Sequence, residues 1–505
     1  MNKINKKEIF AFFSVILLAL IGIIIFWGTQ GHVEVDTGRE FYIPEQILNG
    51  QALYKDIFNI YGALAYQINA LLYHFFGTNT LTLHITGNII GLSIIALIYL
   101  VSRQILDRFY SIIVSIIAII IGIFKIGIFN YTVPYSFAVT YGLLSALIAL
   151  YFICLFLKKE NKNYLYYSIF FAGSAFALKY DFAPFLLIYP IICYLQKENI
   201  KTFFKLILIG LIVPFVSFLI VFLSGVNFND FLNNIELFRK IAQAPSLTTF
   251  YLTTGVYVTF RNFFFNPLSW YIGVLALILF LVRGKLILKN KYDFVVLLSF
   301  FLLSLKSLFI CNLGLYGIYS FPFLLSALLL ILSEYYFKNF KYLKLMIVII
   351  CIITFYTPLK NQINDRVLYS SKITTSKGWI SSASNKTSSK LLIDIILKNT
   401  NQSDKIVILP EGHMINFLTD RLSDNYYGNL IPMYIEAFGE KEIIKYYNQN
   451  KPQYFILTDR NTKEYGKQYI CTDYAQNLCS WILENYHVVY RIDGEPQYLM
   501  LRKNQ

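Results

Sequence analysis

Two carboxylates near the start of the chain have the type and position needed for base catalysis at a membrane surface. Asp36 and Asp56 lie in the polar stretch that follows the 19-residue charge-free run Ile9–Trp27. Asp36 comes about nine residues after that run, so it stays near the membrane plane. A carboxylate held there can take the proton of an acceptor hydroxyl that attacks an anomeric carbon. Glu34 and Glu40, in the same stretch, fit a solvated loop face.

The composition is that of a membrane protein. Of 505 residues, 56% are hydrophobic and 14% are charged, and the mean hydropathy is +0.54, whereas soluble domains carry about 25% charged residues. The net charge is +15, but the basic residues lie in short clusters between apolar runs. This placement indicates membrane topology rather than a basic nucleic-acid surface, and we predict no nucleic-acid partner.

Apolar runs of near-spanning length recur along the first two thirds of the chain. The first run follows a basic N-terminus and lacks a small-residue cleavage site, which predicts an uncleaved span. The sequence therefore predicts a polytopic α-helical membrane protein with about 11 transmembrane helices. The runs cover residues 9–28, 82–101, 109–128, 135–157, 164–178, 182–196, 203–224, 267–282, 292–310, 319–337 and 343–357.

Basic residues are distributed unevenly between the two sides of the predicted membrane. With the N-terminus in the cytoplasm, the cytoplasmic segments hold 18 Lys and Arg residues, and the external loops before residue 360 hold six. The positive-inside rule favours this orientation. We predict a multi-pass protein of the cytoplasmic (inner) membrane in which everything after about residue 358 lies outside the cytoplasm.

Residues 391–505 differ in kind from the hydrophobic module 1–358. They contain no run long enough to span a membrane, and their short apolar segments have the lengths of buried strands and amphipathic helices. We predict a small extracytoplasmic α/β domain, joined to the membrane module by a Ser/Thr/Lys-rich linker at 359–390. The predicted elements are strands at 405–410 and 453–459, helices at 441–449 and around 478–486, and a strand pair around the turn 493–496.

The first predicted external loop, residues 29–81, contains a second apolar stretch at 61–76. Gln67, Asn69 and His74 interrupt its apolar residues. This mixture predicts a helix that lies in the membrane interface rather than crossing the membrane.

The same loop resembles the first external loop of bacterial GT-C glycosyltransferases, a group that includes protein mannosyltransferases and aminoarabinose transferases. The resemblance is carried by DTGREFYIPEQILNGQALYKDIFNIYGAL, residues 36–64. It consists of an Asp just after the first span, a Gly some 14 residues on, a Tyr-x-Asp and a Tyr-Gly turn, with Ala63 where the pattern usually has Pro. Residues 173–184, 316–325 and 409–421 extend the resemblance over most of the chain, although 316–325 lacks the basic residue often found there.

The resemblance implies a hexosyl- or pentosyltransferase that uses a polyprenyl-phosphate-linked sugar donor in the membrane. The acceptor would be an extracytoplasmic glycolipid, envelope polysaccharide or protein. Asp36 would be the catalytic base and Asp56 a second carboxylate near the site. Tyr54 and Tyr61, which belong to the shared pattern, would bind substrate.

A lipid-phosphate leaving group needs cationic stabilisation, and few external basic residues are available. Lys179 is the leading candidate, because it lies between two apolar spans where an unpaired charge is costly. An ion pair with Asp181 is the alternative role for this lysine. Lys55 and Arg261 are further candidates for contact with the donor phosphate.

Two questions remain open at the level of sequence. Some relatives of the GT-C group use a divalent cation, for which His74, His84 and Asp36 are conceivable ligands, but we assign no metal site. Cys471 and Cys479 lie eight residues apart in the predicted external domain, where an oxidising compartment permits a disulfide. A helix predicted around Cys479 opposes the pairing geometry.

Two other functions compete with sugar transfer from a polyprenyl phosphate. A transporter or flippase of a lipid-linked saccharide should carry charged positions deep in several spans and a repeat between its halves. A ligase-like enzyme that joins whole glycans should have its catalytic residues in a long external loop late in the chain. The early acidic loop and the lack of a sequence repeat favour the transferase.

Overall fold

The chain is mostly helical in the computed structural model, which describes residues 6–257, 268–308, 312–338, 340–369, 371–383, 387–423 and 425–504. Arg261 lies outside the described residues. The helices are α1 (Lys6–Ile25), α2 (Thr37–Leu48), α3 (Leu64–Phe76), α4 (Thr80–Ile105), α5 (Arg108–Gly122), α6 (Phe137–Lys159), α7 (Lys162–Leu178), α8 (Ile188–Leu195), α9 (Ile200–Leu223), α10 (Phe228–Ala242), α11 (Pro245–Thr253), α12 (Leu268–Val282), α13 (Gly284–Ile287), α14 (Lys291–Leu303), α15 (Phe321–Ile331), α16 (Leu343–Leu368), α17 (Ser388–Asn399), α18 (His413–Thr419), α19 (Pro432–Phe438), α20 (Glu440–Gln449) and α21 (Gln476–Asn485).

Each of the eleven predicted spans overlaps helical structure in the residues that the structure describes. Among the described residues, five helices are long and apolar enough to cross a membrane, namely α1, α4, α6, α9 and α16. The segments Arg108–Gly122, Tyr180–Leu195, Leu268–Val282 and Phe321–Tyr336 are shorter apolar helices. The protein is a multi-pass membrane protein, while eleven crossings and their orientation stay predictions.

The chain divides into two compact units. The first consists of the described parts of Met1–Gln30, Ile85–Leu219 and Gly255–Arg366. Small residues bring its helices close together, as expected for helices that pack within a membrane. A Cβ added to Gly173 of α7 would lie 1.9 Å from the carbonyl oxygen of Gly210 in α9, so this pair fixes the distance between the two helices.

The second unit comprises Gly31–His84, Ile220–Thr254 and the described part of Val367–Gln505. Its main sheet has the strand order β3 (Ile406–Leu409), β4 (Tyr454–Thr458), β6 (Tyr498–Lys503), β5 (Tyr486–Ile492). β3 and β4 are parallel and the other pairs are antiparallel. All residues of β3 and β4 are buried, in keeping with their continuous apolar sequences. The strands and helices predicted for the C-terminal region are thus confirmed.

Two features of this unit go beyond the sequence predictions. A two-stranded hairpin, β1 (Ser371–Thr375) and β2 (Gly378–Ser382), lies within the segment predicted as a linker. Cys471 and Cys479 form a disulfide with their Cα atoms 5.4 Å apart. The pairing is possible because Cys471 precedes α21, so only one of the two cysteines is held in that helix.

The loop helix predicted at 61–76 is present as α3, while its position in the membrane interface stays a prediction. α3 packs against α2, and α2 packs in turn against α18. Nine of the twelve residues of α2 are buried, which is unusual for a segment so rich in polar side chains. This burial holds the start of α2, and with it Asp36, in a defined place.

Candidate functional site

Asp36 is the residue that immediately precedes α2. Its side chain is 34% exposed, and its Oδ1 lies 3.3 Å from Nη1 of Arg39, one helical turn further on. The carboxylate therefore combines access to a substrate with a fixed cationic neighbour. Access to the substrate is a requirement for a general base, which must come within hydrogen-bond distance of the proton that it takes.

The side chain of Arg39 is held in place by contacts with neighbouring acidic and aromatic residues. Its Nε lies 3.4 Å from Oε1 of Glu40, which also accepts a hydrogen bond of 2.9 Å from the hydroxyl of Tyr66. Glu40 is fully buried, so the solvated position predicted for it is wrong. The guanidinium lies 5.2 Å from the centre of the Tyr61 ring. Burial disfavours the charge, but the neighbouring tyrosines and carboxylates raise the pKa of Arg39 above its usual range. Asp36 therefore faces a permanent cation.

The first turn of α2 can reach α18 only because residue 38 is a glycine. A Cβ added to Gly38 would lie 2.1 Å from the backbone nitrogen of Met414, far inside van der Waals contact. This close approach puts Asp36 and Arg39 beside Glu411 and His413. All four line one small cleft. Its other lining residues are Val33, Glu34, Val35, Gly38, Gly412, Met414 and Asn429.

Replacing Gly38 by Ala should destabilise this part of the protein. Overpacking of a closed contact costs about 1–3 kcal/mol, and the atom that would be struck is backbone, which cannot rotate away. We expect a lower thermal midpoint for the purified full-length variant, followed by intrinsic fluorescence. Gly284→Ala is the matched control, because a Cβ there meets nothing within 4 Å. Equal midpoints for both variants would contradict the close approach.

A second carboxylate in the cleft, Glu411, is held by an arginine. Glu411 is buried, and its Oε2 lies 3.2 Å from Nε of Arg460. Arg460 also contacts Glu464 at 3.1 Å. Burial raises the pKa of Glu411 to about 7, with Arg460 opposing the shift and the carboxylate of Asp36 adding to it. Glu411 therefore exchanges its proton near neutral pH, next to the candidate base.

The raised pKa of Glu411 predicts a pH-dependent stability. Between the ordinary carboxyl pKa and about 7, the unfolded chain loses this proton while the folded chain keeps it. The free energy of unfolding should therefore fall as pH rises through this range, by an amount on the order of 3 kcal/mol. Thermal midpoints of the wild type and of Glu411→Gln, measured from pH 4.5 to 8, test this expectation.

The variant isolates the contribution of Glu411 because it keeps every other titrating group. His413, whose pKa burial lowers to about 4, contributes the opposite dependence, since stability is lost when its ring must be protonated at acid pH. This contribution is present in both proteins and cancels in the difference. Parallel pH curves for the two proteins would mean that Glu411 keeps an ordinary pKa.

Lys179 lies in the first unit, in a cluster of charged and aromatic side chains. It is buried, and its Nζ donates a hydrogen bond of 2.8 Å to the hydroxyl of Tyr135 and lies 3.8 Å from Oδ2 of Asp181. Lys306 contacts the same carboxylate oxygen at 2.8 Å and lies 5.4 Å from the centre of the Tyr316 ring. The ion pair with Asp181, given above as the alternative role, is thus present, and a second lysine joins it.

The other predicted site residues have local partners in the second unit. Asp56 accepts a hydrogen bond of 2.8 Å from the backbone nitrogen of Ala52, and Lys55 donates one of 3.4 Å to the carbonyl oxygen of Gly225. The hydroxyl of Tyr54, a residue with φ of 72°, donates to the carbonyl oxygen of Tyr61 at 2.8 Å. Tyr61 is brought to Arg39, whereas Asp56 does not line the cleft of Asp36.

The histidines considered as metal ligands have aromatic neighbours. His84 lies 5.8 Å from the centre of the Phe41 ring and 6.3 Å from that of Trp379, and His74 lies 5.1 Å from that of Phe75. Within the described ranges, no group of three or more His, Cys, Asp or Glu side chains is arranged to hold a metal ion.

Sequence reasoning missed Glu411, His413 and Arg460, although a topological signal was available. Glu411 follows β3 by two residues, and Arg460 follows β4 by two residues. The two strands are parallel, with Leu409 opposite Leu457. Residues that follow parallel neighbouring strands emerge at the same edge of a sheet, which is a common place for ligand sites.

No family model matches the sequence, and no curated protein sequence is significantly similar to it. Solved structures, however, share its fold. The oligosaccharyltransferase AglB of Archaeoglobus fulgidus, solved with an inhibitory peptide and a dolichol phosphate, has a TM-score of 0.55 at 13% identity, covering 99% of this chain and 75% of its own. ArnT of Cupriavidus metallidurans, solved with undecaprenyl phosphate, has a TM-score of 0.55 at 9% identity, covering 97% and 98%. These likenesses confirm the resemblance to the GT-C group at the level of the fold.

Proposed function

We propose that the protein is a glycosyltransferase that moves a sugar from a polyprenyl-phosphate-linked donor to an extracytoplasmic acceptor. The observation that carries the proposal is the partly exposed Asp36 beside Arg39, whose side chain is 13% exposed, in a cleft of a GT-C fold. The two structures described above contain polyprenyl-type phosphates, which supports this class of donor.

In the proposed reaction, Asp36 takes the proton from an acceptor hydroxyl as its oxygen attacks the anomeric carbon of the donor. A new glycosidic C–O bond forms, and the bond between the anomeric carbon and the phosphate oxygen breaks with its electron pair. The leaving group is polyprenyl phosphate. Arg39 pairs with Asp36 at 3.3 Å and so positions its carboxylate, and Glu411, held by Arg460, is a second acid–base group of the same cleft.

Stabilising the phosphate that leaves requires positive charge. We propose Lys179 and Lys306 for this role, because the two ammonium groups flank a single carboxylate, Asp181, and hydroxyl-bearing rings lie beside them. Lys55 and Arg261 remain proposed further contacts of the donor phosphate. Tyr54 and Tyr61 remain proposed contacts of the substrate, and Asp56 remains the proposed second catalytic carboxylate.

Mass spectrometry of envelope glycolipids, glycoproteins and wall polymers, from cells with and without this protein, tests the proposal. We expect one glycoconjugate class to lose a mass equal to one sugar when the protein is removed. The purified protein should restore that mass when it is given the polyprenyl-phosphate donor. A flippase would instead alter the sidedness of a lipid-linked saccharide without any donor-dependent transfer by the purified protein, and this result would overturn the proposal.

The proposed orientation gives a separate expected outcome. An alkaline phosphatase fused after the last residue should be active, because the second unit would lie outside the cytoplasm, where that enzyme forms its disulfides. A green fluorescent protein fused at the same position provides the reciprocal readout and should stay dark when exported through the general secretion route. A bright fluorescent fusion with an inactive phosphatase would reverse the proposed orientation.

A further inference from the structure

Helices α1 and α5 of the first unit pack closely at one end and leave a cleft at the other. Near the end of α1, a Cβ added to Gly22 would lie 2.6 Å from the ring of Phe124, which follows α5. At the beginning of both helices, the space between them amounts to about 490 Å³ and is open on one side. Sites for small ligands typically have volumes of roughly 300–1,000 Å³. The loop that carries Asp36 follows the other end of α1, so this cleft is not part of the candidate site.

Basic and apolar residues follow one another along the wall of this cleft. The residues that line it are Lys6, Lys7, Phe10, Ala11, Ser14, Arg108 and Ile112. On α1, Lys7, Ala11 and Ser14 are spaced by four and then three residues, and on α5, Arg108 and Ile112 are four residues apart, so each set lies on one face of its helix. The Ser14 hydroxyl donates a hydrogen bond of 2.9 Å to the carbonyl oxygen of Phe10. The cleft thus has cationic side chains at its outer end and a largely apolar wall further along both helices.

The charge of the cleft is positive and one of its cations is held in a fixed place. None of the described residues that line the cleft is acidic, and Lys6 and Lys7 are exposed. The neighbouring carboxylate of Glu8 is shared between Arg103 and Arg108, at 3.0 Å and 2.7 Å. Arg108 donates to Glu8 through Nε and Nη2, and its guanidinium has further N–H groups at Nη1 that can donate to an anion.

The order of charge and apolar surface along the cleft matches that of an anionic phospholipid. The phosphate of such a lipid would meet the basic side chains at the outer end, and an acyl chain would continue along the apolar wall in the direction of the spanning helix α1. A free phosphate would use only the outer end. A zwitterionic phospholipid brings an ammonium group that the three cations would repel. Basic pockets between spanning helices are known to favour anionic lipid head groups.

We propose that the cleft between the beginnings of α1 and α5 binds one anionic phospholipid of the surrounding membrane. Its phosphate contacts Lys6, Lys7 and Arg108, and one acyl chain lies along Ala11 and Ile112. In the orientation proposed above, the cleft lies in the cytoplasmic leaflet, where anionic lipids give the membrane surface its negative potential. The bound lipid fills the space between the two helices and stabilises the folded protein, as any ligand of the folded state does. The site goes beyond the proposed function, since it requires neither donor nor acceptor.

Native mass spectrometry of the full-length protein tests the site through its preference between lipids. Delipidated protein in detergent is titrated with dioleoyl phosphatidylglycerol, with dioleoyl phosphatidylcholine and with soluble glycerol 3-phosphate. The test variant combines Lys6→Gln with Lys7→Gln, two substitutions at exposed positions. The matched control combines Lys158→Gln with Lys159→Gln, because these adjacent lysines are also exposed at one end of a spanning helix but do not line the cleft.

A second pair of variants tests the apolar part of the cleft without changing its charge. Ser14→Trp adds bulk at an exposed position in the wall, and Ile24→Trp is the matched control, since Ile24 is 72% exposed near the other end of the same helix. A lipid whose chain lies along this wall should bind less tightly to Ser14→Trp than to the control.

For the first lipid bound, we expect the wild type to prefer phosphatidylglycerol over phosphatidylcholine by at least about tenfold, since each basic residue at the head group adds to the attraction. The preference should fall several-fold in the variant of Lys6 and Lys7 and persist in the lysine control. Ser14→Trp should lower the affinity for phosphatidylglycerol at least about tenfold relative to Ile24→Trp. Equal affinity of the wild type for the two lipids, an unchanged preference in the variant of Lys6 and Lys7, or unchanged affinity in Ser14→Trp would overturn the site. Glycerol phosphate that binds as tightly as phosphatidylglycerol would also overturn it, because the acyl chain would then contribute nothing.

Discussion

Replacing Asp36 by Asn should lower the rate of sugar transfer by about 10²–10⁴-fold, the usual contribution of a positioned general base. Asn has nearly the same shape as Asp but cannot take a proton at neutral pH. The fold should persist, because the Asp36 side chain is partly exposed and Arg39 keeps its contact with the buried Glu40. The measurement is donor turnover by purified protein in nanodiscs, with thermal midpoint and membrane insertion recorded for the same preparation.

Asp493→Asn is the matched control for this variant. Asp493 also pairs with an arginine, Arg491, at 3.2 Å, but both side chains are more than 70% exposed and lie at the turn between β5 and β6. The control therefore removes a carboxylate from an Asp–Arg pair without touching the cleft, and its activity should equal that of the wild type. Near-normal turnover by Asp36→Asn would remove Asp36 from the role of base and leave Glu411 as the candidate in that cleft.

The parts of the fold that could be predicted from the sequence are the helices and strands that depend on residues close together along the chain. Apolar runs of helical length marked the eleven helical segments, and runs of four apolar residues marked β3 and β4, because burial on both faces leaves no polar alternation. The hairpin of β1 and β2 was not predicted, since Ser and Thr make up three of the five residues of β1 and two of the five of β2, a composition typical of a linker. The disulfide was left open because it depends on where α21 begins, and the boundaries of helices are the least certain part of a sequence pattern.

The candidate site likewise has a part that could be predicted from the sequence and a part that could not. Asp36 was predictable from its distance to the first span, but its surroundings depend on contacts between distant parts of the chain. Arg460 meets Glu411 across 49 positions, through the pairing of two strands. The contact between Gly38 and the backbone of Met414 could not be predicted, because the sequence does not show which distant segment packs against α2. Lys306 was not among the basic residues predicted to contact the donor, and only the fold brings it to Asp181.

Replacing Lys179 by Met should weaken use of the donor by roughly 10²-fold in kcat/KM, in line with the loss of one electrostatic contact to a developing charge. Met is an unbranched apolar side chain that can occupy the buried site of the lysine. Asp181 remains paired in the variant, because Lys306 contacts it at 2.8 Å, so the buried carboxylate is not left without a cation. Steady-state kinetics with a polyprenyl-phosphate sugar, at several donor concentrations, measure the effect.

Two further variants separate a role in donor binding from a structural role. Lys179→Arg keeps the charge and should recover much of the donor dependence, whereas a purely structural site of this size should tolerate Arg no better than Met. Lys205→Met is the matched control, because Lys205 also lies over a tyrosine ring of the first unit, with 4.1 Å between its Nζ and the centre of the Tyr166 ring, but its side chain is exposed. If Lys179→Met changes the thermal midpoint but not the donor dependence, Lys179 serves only to pair with Asp181, and the donor phosphate must be held elsewhere.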